Sequence, residues 1–369
     1  MPTRDPGRTP ATPPASDSSP TAGGTARPES SDAPRRARRL GGDLPLPAPP
    51  PAGSPTPRLP GWVVERPLAA GAQADLYVVR PASDGASQRD ERTFVAKVFR
   101  LRSFTGASWS ADEQQWRMLR AVVALRLLET ARPARVPRVV AFSTCLDGTD
   151  GERRAWYVMP YYAGGAMWRA EPGGGNGTAA GPWSESYRGN VDRVLEIAEA
   201  LATTLAAMHD GPRRVVHRDV TAGNVFFTAS GGAPVLGDFG IAHVAGFAER
   251  PAESARLDPL VWQPPELDAG GDGGSPAGDV FMLGGLVYQA LSGGRLLPPT
   301  PEWDGVSIHA RPAHTLRQDS DDPRMVGVEA LLDRMLTRDG RDRLPAREVA
   351  RVCRGLLTLP RERRGPEAR

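Results

Sequence analysis

His217-Arg218-Asp219-Val220-Thr221-Ala222-Gly223-Asn224 decides the reading of this chain, together with Asp238-Phe239-Gly240, which begins fourteen residues after Asn224. Between them, two short apolar stretches, Val225–Phe227 and Val235–Leu236, flank Ser230-Gly231-Gly232, a natural hairpin turn. Three acidic or amide positions stand out: Asp219, Asn224 and Asp238. An exposed loop Asp, an Asn turn and a Gly-ended turn each have an ordinary explanation. Their combination in this order does not.

Upstream stands Lys97, in Thr93-Phe94-Val95-Ala96-Lys97-Val98-Phe99. The chain has 46 Lys and Arg residues, and Lys97 is the sole lysine. Arginine serves equally well as a surface cation, so the retained lysine marks a task that a guanidinium cannot perform. A compact ammonium on a flexible stem sits as a point charge against phosphate oxygens where a planar fork would not fit. The segment reads as a strand, and two-residue alternation puts Val95 and Lys97 on one face.

A length of 369 residues and a hydrophobic share of 40% allow one large domain or two ordinary ones with a real core. Residues 1–60 differ, being rich in Pro, Ala, Ser, Thr, Gly and Arg without apolar period, and are expected to be a disordered tail. They hold eight Arg against five acids, so the whole-chain excess of +3 sits there and the remainder is neutral. The cluster Arg35, Arg36, Arg38 and Arg39 is a docking candidate for a partner or regulator, or else a solvated part of the tail. The neutral remainder argues against nucleic-acid binding as the main task. Cys145 and Cys353 form no disulfide framework or metal spacing and are expected as free thiols in a reducing compartment. No apolar run reaches the roughly 18 residues of a membrane helix, and the N-terminus shows no apolar leader core. No membrane insertion and a cytoplasmic location are therefore expected.

Strands are expected at Val63–Val64, Leu76–Val79, Phe94–Phe99, Val136–Phe142 and Trp156–Tyr162. A helix is expected over Ser110–Glu129, with Trp116, Leu119, Val122, Val123 and Leu127 at helical spacing. Ala163–Gly189 reads as a Gly-rich linker or inserted loop, and Val191–His209 as a strong helix. Strands first and helices afterwards give an α+β class, with a small β-rich lobe joined to a larger helical one.

Lys97, the HRD…N run and DFG in this order resemble the eukaryotic-like serine/threonine protein kinase family of bacteria. The resemblance covers about 59–357, with an N-lobe of about 59–159 and a C-lobe of about 163–357. A tail of 1–58 and a short charged tail of 358–369 flank it. It implies a two-lobed protein-kinase-like fold, ATP and Mg²⁺ as cofactors, and transfer of the γ-phosphoryl group to Ser/Thr hydroxyls of protein substrates. Lys97 would hold the α- and β-phosphates, Asp238 and Asn224 the metal ions, and Asp219 the proton of the attacking hydroxyl. Ala69, Gly71 and Ala74 fall on the three glycine positions of the phosphate loop. Val95, gatekeeper Met159, the Pro160 carbonyl and the Tyr162 N–H would border the adenine. His217, Arg218, Phe239 and Gly240 support the two loops. Asp279 would anchor the first loop, and Glu266 would pair with Arg343; these three oppose a small-molecule phosphotransferase.

The departures are specific. One glycine of three remains in the phosphate loop, so weaker nucleotide handling is expected. Thr221 stands where serine/threonine members carry a Lys, and Pro259 where its Thr contact would be. The helix partner of Lys97 is Glu113 as the nearest acid, or Gln115 by apolar spacing. Ser254 is the sole hydroxyl side chain between Asp238 and Glu266, and would be the loop phosphosite if Arg218 docks one. The alternative reading is a pseudokinase acting as an interaction module.

Overall fold

Alternating β-branched and aromatic residues build the first part of the chain into a sheet. The computed structural model describes residues 56–70, 74–82, 93–100, 110–131, 134–144, 154–167, 187–247, 264–268, 274–293, 316 and 320–361. Gly71, Cys145, Ser254, Pro259 and nearly all of the expected N-terminal tail lie outside them. Strands β1 (Trp62–Ala70), β2 (Ala74–Pro81), β3 (Phe94–Phe99), β4 (Ala141–Ser143) and β5 (Trp156–Pro160) form a five-stranded antiparallel sheet in the order β1-β2-β3-β5-β4. The edge strand β1 carries Pro67 and two register irregularities, which an edge tolerates because it lacks a partner on one side.

The central strand β3 is buried on both faces, and its alternation divides two cores. Val95 and Phe99 join Tyr157 and Met159 in the main core. Ala96 and Val98 join Tyr77, Val79, Trp156 and Val158 in a second cluster. Helix α1 (Ala111–Leu128) follows β3. It opens with a capping box: the Glu113 N–H donates to Ser110 Oγ at 3.1 Å, and the Ser110 N–H donates to Glu113 Oε2 at 2.8 Å.

The expected strand Val136–Phe142 is shorter than its sequence suggests. Only Ala141–Ser143 is strand, with ladder bonding starting where the Val140 N–H donates to the Val158 carbonyl at 2.8 Å. Pro137 lacks an N–H, so the earlier residues cannot complete a ladder. Within the Gly-rich stretch, β6 (Gly165–Ala166) pairs with β8 (Val225–Thr228), which pairs with β9 (Gly231–Leu236).

The second lobe is helical. Helix α2 (Val191–His209) starts at Asn190, whose side chain accepts the Arg193 N–H, and buries Val194, Ile197, Ala198, Leu201 and Leu205. A short helix α3 (Pro265–Asp268) precedes α4 (Pro276–Leu291), which is buried all round and therefore runs through the lobe interior. Helices α5 (Met325–Met335) and α6 (Ala346–Leu357) close it, α6 burying Ala346, Val349, Ala350, Cys353 and Leu356 along one face. Burial pushes the free Cys353 thiol up to about 12, so it is unreactive in the folded protein. Among the described residues, no helix is long and apolar enough to cross a membrane.

Candidate active site

Two short strands bring the chemistry together. β7 (Val215–Val216) leads into His217-Arg218-Asp219, and β10 (His243–Val244) follows Asp238-Phe239-Gly240. They pair antiparallel, Val216 opposite His243 and Val215 opposite Val244. The β8–β9 hairpin adds a second tie, because the Gly237 N–H donates to the Asn224 carbonyl at 2.8 Å.

Lys97 lies on β3 opposite Leu76 of β2 and Tyr157 of β5, and its Nζ donates to Asp238 Oδ1 at 2.5 Å. This ion pair thus links the sheet lobe to the helical lobe. Burial works against the ammonium's charge, but Asp238, Tyr157 and Asp219 outweigh it and lift the Lys97 pKa above the ordinary lysine value. Burial alone would raise the Asp238 carboxyl. The Lys97 ammonium and the Gly240 N–H prevail and hold it below the usual carboxylate value. The sign of the linkage follows. Asp238 contributes stability above its unfolded value of 3.8 and loses it as pH falls through the lowered folded value. Lys97 contributes below 10.5 and loses it above. The Tm difference between the parent and Asp238→Asn should shrink below about pH 4, where the parent's own carboxylate takes up a proton. A difference that kept its full size there would contradict this assignment.

Asp219 and Asn224 form a second unit. Asn224 Nδ2 donates to Asp219 Oδ2 at 2.8 Å and to its carbonyl at 2.9 Å. The Asn224 N–H donates to the Thr221 carbonyl, closing a single 3₁₀ turn over Ala222–Asn224. With its amide nitrogen so used, Asn224 keeps Oδ1 as an oxygen donor for a ligand.

Three buried groups fix these loops. Asp279, fully buried at the start of α4, accepts the His217 and Arg218 N–H groups at 2.8 Å each and His209 Nε2 at 2.8 Å. His217 Nδ1 accepts the Asp219 N–H at 3.2 Å, and its Nε2 donates to the Gly237 carbonyl at 2.9 Å. Burial pushes the His217 pKa down, in keeping with this neutral tautomer. Phe239 is fully buried and meets the His217 ring edge-on at 4.7 Å. Arg218 and Asp238 both adopt positive φ, 68° and 59°. Left-handed backbone costs about 1–2 kcal/mol for a residue with a Cβ and persists where neighbours over-determine it.

Among the residues expected to border the adenine, Val95 faces Met159 across β3 and β5, and Pro160 lies opposite Phe94. Tyr162 stacks on Phe226, centroids 6.1 Å apart, and burial pushes its hydroxyl up to about 12. Phe226 also lies where a Cβ on Gly237 would come within 2.5 Å of its ring, so glycine before Asp238 makes room for it. Ala69 is half-buried in β1, and Ala74 opens β2 as a core residue. Asp75 beside it is bound by Arg100, whose Nε donates to Oδ2 at 2.9 Å.

In the helical lobe, Arg343 grips Glu266 in a bidentate pair at 2.6 and 2.8 Å and donates to the Thr337, Ala277 and Arg338 carbonyls. Its guanidinium lies 4.8 Å over Phe281.

Lys97 is bonded neither by Glu113 nor by Gln115 in the pairing found here. Its ion pair goes to Asp238, Glu113 serves the cap of α1, and the fully buried amide on that helix is Gln114. Sequence reasoning missed His209, Phe226, Asp75 and Arg120, the last of which donates to the Gly240 carbonyl. His209 had a visible signal, a lone His ending an apolar helix.

A protein kinase domain family model matches residues 112–352, more than half of the chain. The protein kinase YpkA of Yersinia pseudotuberculosis is 28% identical over 162 residues, covering 42% of this chain and 20% of that protein. The serine/threonine-protein kinase PknK of Mycobacterium tuberculosis is 35% identical over 144 residues, covering 38% of this chain and 11% of PknK. The serine/threonine-protein kinase PknA of Mycobacterium tuberculosis is 34% identical over 110 residues, covering 30% of this chain and 24% of PknA. The matches therefore span between a tenth and a quarter of these relatives' own lengths. An antiparallel sheet lobe and a helical lobe, joined at Lys97 and Asp238 and matched by this family model, establish that the chain belongs to the protein kinase family.

Proposed function

We propose that the chain transfers the γ-phosphoryl group of ATP to Ser or Thr hydroxyls of protein substrates, in a domain of about 59–357 working in the cytoplasm. The observation that carries this reading is the Lys97–Asp238 ion pair beside the Asp219–Asn224 unit. Lys97 places its ammonium against the α- and β-phosphates. Asp219, held by Asn224 and by His217 Nδ1, orients the acceptor hydroxyl and takes its proton. The donor set suits a hard cation: an ionised carboxylate on Asp238 and the remaining amide oxygen of Asn224, leaving positions for phosphate oxygens and water. A Mg²⁺ ion held by these two side chains would supply charge neutralisation for the transferring group. Thr221 brings no cation to the γ-phosphate, so neutralisation falls more heavily on the rest of the site. The Glu266–Arg343 clamp, which ties α3 to the rest of the helical lobe, favours a protein substrate over a small molecule.

The test is transfer from labelled ATP to a generic basic protein, with Mg²⁺ and with a chelator. Chelator-sensitive transfer to Ser or Thr is expected. ATP binding without transfer would replace this reading with an interaction module. A second expectation concerns the phosphate loop. Ala69→Gly with Ala74→Gly should raise turnover by about two- to fivefold while costing about 1–2 kcal/mol of stability, since Ala74 packs in the core and glycine weakens a strand. Unchanged turnover would contradict the limiting role of those methyl groups.

A further inference from the structure

Helix α1 buries two arginines, Arg117 and Arg120, and Gln114 on its inward face. A helix that only covered the sheet would bury apolar groups there, because a buried guanidinium needs acceptors. Arg120 is 2% exposed, and its Nη2 donates to the main-chain carbonyl of Gly240. The Gly240 N–H in turn donates to Asp238 Oδ1 at 3.2 Å. That same oxygen accepts Lys97 Nζ. One continuous chain of bonds therefore runs from α1 through Gly240 to Asp238 and on to β3. Further along the same segment, Trp116 of α1 stacks on Phe247, centroids 4.7 Å apart and planes 24° apart. The segment after Asp238 is thus held by α1 at Gly240 and again at Phe247, with the β7–β10 pairing between.

We propose that Arg120 is a positioning residue for Asp238: by fixing Gly240 from α1, it keeps Asp238 left-handed with its carboxylate turned to Lys97. The backbone of Asp238 needs such over-determination at φ 59°. Gly240 supplies it through both its polar groups, and the guanidinium reaches its carbonyl from a different element. The buried residues of α1 include no carboxylate, so this arginine couples the placement of α1 to the geometry of the Asp238 loop. The functional meaning of this coupling rests on the proposed kinase reading; the structural tie does not.

Arg120→Leu and Arg120→Lys in the full chain test it. The first readout is hydrogen exchange of the ligand-free protein over residues 238–244. Arg120→Leu should exchange there about tenfold faster than the parent, with α2 unchanged and Arg120→Lys in between. The second is binding of a fluorescent ATP analogue while Mg²⁺ is titrated. The Mg²⁺ concentration for half-effect should rise by about tenfold, with affinity in chelator little altered. A purely structural role would instead lower Tm and raise exchange throughout, without separating the two affinities. Parent-like exchange over 238–244 in a folded Arg120→Leu protein overturns the proposal, and if that variant fails to fold, parent-like exchange in Arg120→Lys does so. Faster local exchange in a chain whose parent binds no nucleotide keeps the tie and removes the kinase reading.

Discussion

Asp219→Asn is expected to cut phosphoryl transfer by about 10³-fold while leaving nucleotide affinity within a few-fold of the parent. The split follows from the geometry. Asp219 Oδ2 bonds Asn224 and its backbone N–H bonds His217, so an amide of equal size keeps the loop's shape. What disappears is the negative oxygen proposed to take the hydroxyl proton, a loss that would be felt only as the reaction proceeds. Lys97, the cation proposed to meet the nucleotide, sits on another strand and pairs with Asp238. A parallel fall in affinity and turnover would mean that Asp219 holds the loop together instead. Transfer persisting at the parent rate would remove it from the chemistry.

Asp279→Ala should cost roughly 4 kcal/mol and lower Tm by about 10 °C, the largest stability effect expected of any single substitution here. One carboxylate, with no solvent exposure, satisfies two consecutive backbone N–H groups and His209. Removing it strands both N–H groups in the interior, each at about 1–3 kcal/mol. It also frees Arg218 from its left-handed conformation, so activity should fall along with stability. His209→Ala removes a single bond to the same carboxylate and should cost about 1 kcal/mol. Near-equal effects of the two would show that the backbone bonds to Asp279 carry little.

The order of Lys97, Asp219, Asn224 and Asp238 was legible because phosphoryl chemistry restricts the residue types, and no core position explains them all. Helix α2 was readable to its ends, since its apolar spacing is clean and Asn190 caps it. The face of α1 was not. Spacing of Trp116, Leu119 and Val122 ignored Gln114, Arg117 and Arg120, which a hydrophobicity pattern assigns to solvent. Arg120 turns inward because the Gly240 carbonyl accepts it, and that acceptor lies far away in sequence. The strand expected from Val136 failed for a local reason, the missing N–H of Pro137. Pairing across β7 and β10 was invisible because two-residue strands have no period.

The solitary ε-amine has one more consequence. Buried against Asp238, Lys97 leaves the surface without a single side-chain target for amine acylation. Lysine-directed acylation can therefore reach only one side-chain atom, and an acyl group mapped to Lys97 itself would report on how often its pair with Asp238 opens.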